Sequence, residues 1–298
     1  MSLPSILGTA PPNDLPPDEL RLRPDQWGHV AVDPARAGWR YLSFATHRLA
    51  ARGRMAVGVA TSEVGLVVLA GSARIELDDG HALDLPGRAS VWDGRPWGAY
   101  LPAATRGELR AGHTGLRVAI ASAPSSGAAA GAQPVVIRPS DVRVEVRGAG
   151  HATRQINHII TPEFPAERLE MVEVYTPAGN WSSWPPHKHD IDDMPNEAVL
   201  EEIYHYAFRR PEAWGIQRLY RRDGTRDALW AVREGEVVLV TDGYHPFVAA
   251  DGDDAYYLNA LAGDRRTMAC SYDPDLDWVR GTWTAATPDP RVPLVPPR

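Results

Sequence analysis

A chain of 298 residues, 44% apolar and 23% charged, has material for two ordinary domains, each with its own core. A net charge of −7 with no basic stripe speaks against a nucleic-acid partner, and no apolar run approaches the roughly 18 residues of a membrane span. One cysteine, Cys270, cannot form an internal disulfide, and the first residues lack a secretory pattern, so a cytoplasmic protein without a membrane partner is expected.

In chain order, "VGLVVLAGSARIEL" (64–77), "LRVAIAS" (116–122), "VRVEVRG" (142–148), "RLEMVEVYTP" (168–177) and "VVLVTDG" (237–243) are strand-length runs bounded by Gly, Pro or Asp. Persistent helical periodicity is absent, and "PNEAVLEE" (195–202) offers a turn or two at most. The spacing predicts an all-β sandwich or barrel. "SAPSSGAAAGAQP", Ser122 to Pro134, is small and polar and reads as an interdomain linker. The prolines of residues 284–298 predict an extended tail. The expected division is therefore a barrel over 1–121, a linker over 122–134, a second barrel over 135–283, and a Pro-rich tail. "PGRASVWDGRP" (86–96) and "EGEVVLVTDGYHP" (234–246) share Gly, a short strand, Asp-Gly and Pro, which suggests duplication. The first copy has no His-x-His and is expected to lack metal ligands.

Chemistry concentrates in "NWSSWPPHKHD", Asn180 to Asp190, which holds the only lysine, Lys188, between His187 and His189. Extended backbone turns His187 and His189 to one face and Lys188 to the other, where acidic residues of a neighbouring strand or subunit could pair with it. "LEEIYHYAF" (200–208) predicts a strand with Glu202, Tyr204 and Tyr206 on one side and Glu201 and His205 on the other. "DGYHP" then brings His245 to a strand end. A His-x-His alone is a weak signal, and an acidic run such as Asp190–Glu202 is usually a solvated loop. The order His-x-His, then Glu before a strand, then His after Asp-Gly is stronger. Three imidazoles and a carboxylate suit one divalent ion per chain, Zn, Mn, Fe, Co or Ni, with coordination positions left open for chemistry. A closed structural zinc would usually include thiolates.

That order is the signature of the cupin barrel, and the text resembles the 5-deoxyglucuronate isomerases of inositol breakdown. The matching segments are "RQINHIITPEFPAERLEMVEVYTPAGNWSSWPPHKHD", "LEEIYHYAF", "GIQRLYRRDG" and "EGEVVLVTDGYHPFVAADGDDAYYLNALAG", with "RASVWDGRPWGAYLP" in the first half. The resemblance implies a bicupin, two double-stranded β-helix (jelly-roll) barrels in one chain. It implies His187, His189, Glu202 and His245 as metal ligands, Glu202 being chosen over Glu201 because it abuts "IYHY". His205, where the family usually shows another texture, faces away from Glu202 and reads as structural.

The implied reaction converts 5-deoxy-D-glucuronate to 5-dehydro-2-deoxy-D-gluconate by moving a proton from C2 to C1 through an enediol. A metal ion would stabilise the developing oxyanion, and a second group must shuttle the proton; Tyr204 is one candidate beside a carboxylate or bound water. Arg154 and Arg218 are candidates for the substrate carboxylate, with Asn180, Gln217 and Tyr257 as further polar candidates. A cupin dioxygenase using the same four ligands and a non-catalytic sugar-binding cupin are the rival readings. The sugar acid is the expected small-molecule partner, and exposed barrel edges with 10 tryptophans predict a homo-oligomer.

Overall fold

The computed structural model describes residues 15–127 and 131–295, without the side chains of 284 and 285. A helical turn, α1 (Pro17–Leu20), leads into β1 (Arg21–Leu22). The first module follows with β2 (Val30–Val32), β3 (Ser43–Leu49), β4 (Arg54–Val57), β5 (Ser62–Leu77), β6 (Ala82–Arg88), β7 (Gly98–Leu101), β8 (Gly107–Pro124) and β9 (Val135–Ile137). The second contains β10 (Arg143–Arg147), β11 (Arg154–Ile160), β12 (Leu169–Thr176), β13 (Trp181–Ser182), β14 (His187–Lys188), β15 (Glu201–Phe208), β16 (Gly215–Tyr220), β17 (Asp227–Val232), β18 (Val237–Val240), β19 (Phe247–Ala249), β20 (Ala255–Ala262) and β21 (Ser271–Tyr272). Among the described residues the named strands pair antiparallel, and helix is confined to single turns and a 3-10 segment, Asp277–Ala285.

The second module joins a seven-stranded sheet, β1-β18-β15-β20-β12-β11-β10, to a four-stranded one, β13-β19-β16-β17. Tyr206 of β15 donates to Gln217 of β16 at 2.7 Å and stacks on Phe247 of β19, which closes the two sheets over one interior.

The first half of β5 and nearly all of β15 are buried on both faces, which in β5 explains the apolar run "VGLVVLA". Val64, Leu66 and Val68 of β5 pack in the core of the first barrel with Ile75, Leu85, Leu109 and Val118. Val67 and Leu69 belong instead to the larger core shared with Met171, Ile203 and Tyr204 of the second module.

Two glutamates lock the modules reciprocally. Glu201 accepts the amides of Arg40, Tyr41 and Leu42 at 2.6–3.0 Å. Glu63 accepts those of Glu167, Arg168 and Leu169 at 2.7–2.8 Å. Superposing these clasps aligns Glu63 with Glu201, and therefore Val64 with Glu202. The ladders then match Leu101 to Val240, since Val64 pairs Leu101 and Glu202 pairs Val240. Counting onward, Ala104 (φ 66°) falls at Gly243 (φ 80°) and Arg106 at His245. The repeat suggested by "PGRASVWDGRP" is thus out of register: the counterpart of "DGYHP" (242–246) is "AATRG" (103–107), which shares backbone shape but no residue pattern.

The module boundaries also differ from those read from composition. Strand β1 precedes the first module yet pairs with β18 of the second, while β9, beyond the expected linker, pairs with β7 of the first. Ser122–Pro124 end β8 rather than begin a linker, paired to β3 and β5. Small residues there serve close packing, Ala121 and Ala123 being buried, instead of flexibility. Residues 128–130 lie outside the described part. The Pro-rich tail folds back, with Val295 buried and hydrogen-bonded in both directions to Gln155.

Candidate metal centre

Strand β14 delivers His187, and His189 returns to the same side two residues later. His245 arrives from the turn after β18. There Gly243 holds φ 80°, and a Cβ would meet the Tyr220 carbonyl oxygen at 2.5 Å, so only glycine permits the turn that aims the histidine inward. One ring nitrogen from each of His187, His189 and His245 lies within 4.8 Å of the others.

Glu202, on the inward face of β15, places Oε2 2.8 Å from His189 Nε2 and 3.3 Å from His245 Nε2. The far ring nitrogens are anchored: Nδ1 of His189 on the Leu200 carbonyl at 2.9 Å, Nδ1 of His245 on the Gly243 carbonyl at 3.0 Å. With those Nδ1 atoms donating, the Nε2 lone pairs and the carboxylate face one another. Such an arrangement calls for a proton or a cation in their midst. His245 Nε2 is buried and makes no well-formed hydrogen bond, its neighbour being Glu202 Oε2 at 3.3 Å, so its lone pair is left for a cation. The donor set fits a metal ion.

For His187 and Glu202 the electrostatics agree. Burial, then the neighbouring His245 and His189, holds His187 well below its ordinary value and therefore neutral, the ligating form. Burial opposes ionisation of Glu202, but the adjoining His189 and His245 outweigh it and keep the carboxyl below its usual range.

Around this cluster a cavity is lined by Arg154, Ser183, Tyr204, Tyr257, Asn259 and Tyr272, among others. Tyr204 bonds Ser183 Oγ at 2.8 Å, and Tyr257 bonds Ser182 Oγ at 2.5 Å. Burial pushes the Tyr204 phenol well above its ordinary value, so it remains protonated at neutral pH. A wider groove of about 960 Å³ on the first module, touching Trp27, Arg48, Ser72 and Thr114, gathers no comparable set of donors among the described residues.

Three candidates stand elsewhere. Arg218 is on the outer surface of β16, where its fork is taken by Asp227 at 2.8 and 2.9 Å. Asn180 is buried away from the cavity, tying the Thr153 carbonyl to Asp289 of the tail. Gln217 sits behind the centre and donates to the His245 backbone carbonyl at 2.8 Å, a supporting contact rather than a cavity one. The alternation that separates Glu202 from Glu201 also sends His205 outward, against Phe44 of the first module. Arg147 of "VRVEVRG" and His158 of "RQINHII" also line the cavity; neither stretch carries a spacing that marks a site in the sequence. Glu170 of "RLEMVEVYTP", whose carboxyl burial raises to about 7, is likewise unmarked in the sequence.

Lys188 points away from the centre. Its Nζ donates to Asp190 at 2.5 Å and Glu197 at 2.8 Å, and Asp190 in turn accepts the Gly243 amide at 2.9 Å. The lysine therefore couples the His187–His189 segment to the turn carrying His245. Lys188→Met is expected to lower divalent-metal affinity about 10–100-fold, the usual cost of losing an outer partner. Metal titration of the stripped protein checks this; an unchanged affinity would make the lysine a surface charge only.

No helix among the described residues is long and apolar enough to cross a membrane. Residues 20–279 match the KduI/IolB family model. The chain is 40% identical over 268 residues to a 5-deoxy-glucuronate isomerase of Geobacillus kaustophilus (strain HTA426), covering 88% of this chain and 95% of that protein. It is 38% identical over 266 residues to a 5-deoxy-glucuronate isomerase of Geobacillus thermodenitrificans (strain NG80-2), with the same coverage. The crystal structure of an IolB-like protein from Salmonella typhimurium LT2 superposes with a TM-score of 0.80 at 34% identity, over 84% of this chain and 94% of that one. An oxalate decarboxylase of Lactobacillus farciminis, 11% identical with a TM-score of 0.58 over 85% of this chain and 88% of that one, shares the fold alone. All-β, bicupin in architecture and matched along most of its length, this chain belongs to the KduI/IolB family.

Proposed function

We propose that this chain is a metal-dependent aldose–ketose isomerase that converts 5-deoxy-D-glucuronate to 5-dehydro-2-deoxy-D-gluconate. One observation carries the reading: three imidazoles and a carboxylate converge on the interior of one barrel, in a chain 40% identical to a protein bearing that name. His187, His189, His245 and Glu202 would hold one divalent ion. When bound, such an ion supplies Lewis acidity for a substrate oxygen that gains negative charge as the adjacent C–H proton leaves.

The chain's own groups do the rest. The protonated phenols of Tyr204 and Tyr257, anchored on Ser183 and Ser182, can donate to substrate oxygens and fix their orientation. Because burial keeps Tyr204 protonated, its part in proton transfer is that of a donor to oxygen, not a resting base. Gln217 holds the His245 backbone, and the Glu201 clasp fixes β15 and with it Glu202.

Proton NMR of 5-deoxy-D-glucuronate with the protein in heavy water is expected to show ketose product, and a chelator in excess is expected to slow it at least about 100-fold. Re-addition of a divalent metal should restore turnover, and removal of oxygen should leave it unchanged. Product that forms only with oxygen would overturn the isomerase in favour of a dioxygenase, and binding without product would leave a sugar-binding protein.

A further inference from the structure

Three arginines are buried among the described residues: Arg88, Arg154 and Arg226. Arg88 is neutralised by Glu173 and Arg226 by Asp242. Arg154, on β11 and 6% exposed, meets no carboxylate among the described residues. Its Nη1 donates to two neutral carbonyls, Ala152 at 3.0 Å and Trp184 at 3.3 Å. A guanidinium carries five N–H donors, so the edge formed by Nε and Nη2 keeps its donors in reserve, and the side chain lines the same cavity as His187, His189 and Glu202. The Trp184 contact fixes that edge three residues before His187. Arg147 lines the cavity too, but Glu145 takes its Nε and Nη2 at 2.7 and 3.1 Å, so its charge is spent.

A buried, uncompensated cation is costly unless an anion completes it. A single planar edge with two parallel N–H groups matches the two oxygens of a carboxylate. A phosphate dianion would ask for more donors than this wall provides.

We infer that Arg154 is the anchor for the carboxylate of an acidic sugar, the residue by which this cavity selects an acid over a neutral polyol. The sugar part of that ligand rests on the proposed isomerase reading, whereas the anion part rests on Arg154 alone. Arg218, the other arginine offered by the sequence, is excluded by its bond to Asp227 on the outer surface.

Calorimetric titration of the purified full chain, with its metal content measured, tests this with D-gluconate and D-glucitol, which differ only in the carboxylate. The wild type is expected to bind gluconate at least about 10-fold more tightly. Arg154→Gln should weaken gluconate about 10–100-fold, leave glucitol within twofold, and leave metal content unchanged. Arg154→Lys should fall between, because an ammonium keeps the charge but loses the fork. Equal binding of the two ligands by the wild type overturns the inference without recourse to any variant. So does an Arg154→Gln protein that retains the full preference, since the charge would then come from elsewhere. Absence of 5-deoxy-D-glucuronate turnover by the wild type, with the acid preference intact, would count against the isomerase reading and leave the anchor standing.

Discussion

Replacing His245 by alanine is expected to leave the purified protein with less than about a tenth of the wild-type bound metal and to lower isomerisation by at least about 100-fold, since loss of an outer-shell partner alone costs 10–100-fold. The physical reason is that His245 Nε2 is buried with only the Glu202 carboxylate beside it, at 3.3 Å, so no other nitrogen substitutes for it. His187→Ala should behave alike, because its imidazole stands 4.6 Å ring to ring from His245 and is held neutral by burial. Glu202→Gln separates charge from shape: the amide retains the volume but loses the negative oxygen 2.8 Å from His189. Elemental analysis of each variant beside the wild type is the check, with circular dichroism to show that the strands persist. Full metal occupancy in His245→Ala or His187→Ala would remove these residues from the ligand set.

Arg88→Ala should be among the most destabilising single changes outside the centre. Arg88 of the first module and Glu173 of the second are 1% and 0% exposed and meet directly at the module boundary. Arg88 also donates to the Val68 and Gly94 carbonyls at 3.0 Å each, and Tyr256 donates to Glu173 at 2.9 Å. Removing the arginine leaves a buried carboxylate without its cation, which costs about 3–5 kcal/mol. For a chain of this size that is a fall in thermal midpoint on the order of 10 °C. The double change Arg88→Met with Glu173→Leu should cost far less, because an apolar pair of similar volume avoids the desolvation that the ion pair had to offset. Arg218→Ala, which breaks an exposed pair, is the internal reference and should cost about 1 kcal/mol at most. A thermal melt in which Arg88→Ala unfolds no earlier than Arg218→Ala would show that the boundary ion pair does not hold the modules together.

Much of the centre was legible because it depends on local geometry. Alternation along extended backbone put His187 with His189 and separated Glu202 from Glu201, and the folded chain uses Glu201 as a clasp on residues 40–42. The same rule turned Lys188 away from the histidines and toward acidic residues, Asp190 and Glu197. Arg154 and Arg218 could not be distinguished in this way. Each is an arginine in a strand of the second module, and their difference lies in what faces them: Asp227 across the ladder for one, the cavity for the other. Small residues misled in a similar manner, since "SAP" at 122–124 has the composition of a linker but ends an eighteen-residue strand.

By itself the sequence determined the all-β character, the strand-by-strand alternation and the shared side of His187 and His189, all properties of neighbouring residues. Only the tertiary structure decided which module each strand joins, which arginine keeps a free edge, and that Val64 and Arg106 occupy the places of Glu202 and His245 in the first barrel. Those outcomes depend on pairings between segments far apart in the chain, such as Arg88 with Glu173 across 85 residues, and no local pattern encodes which distant partner will arrive.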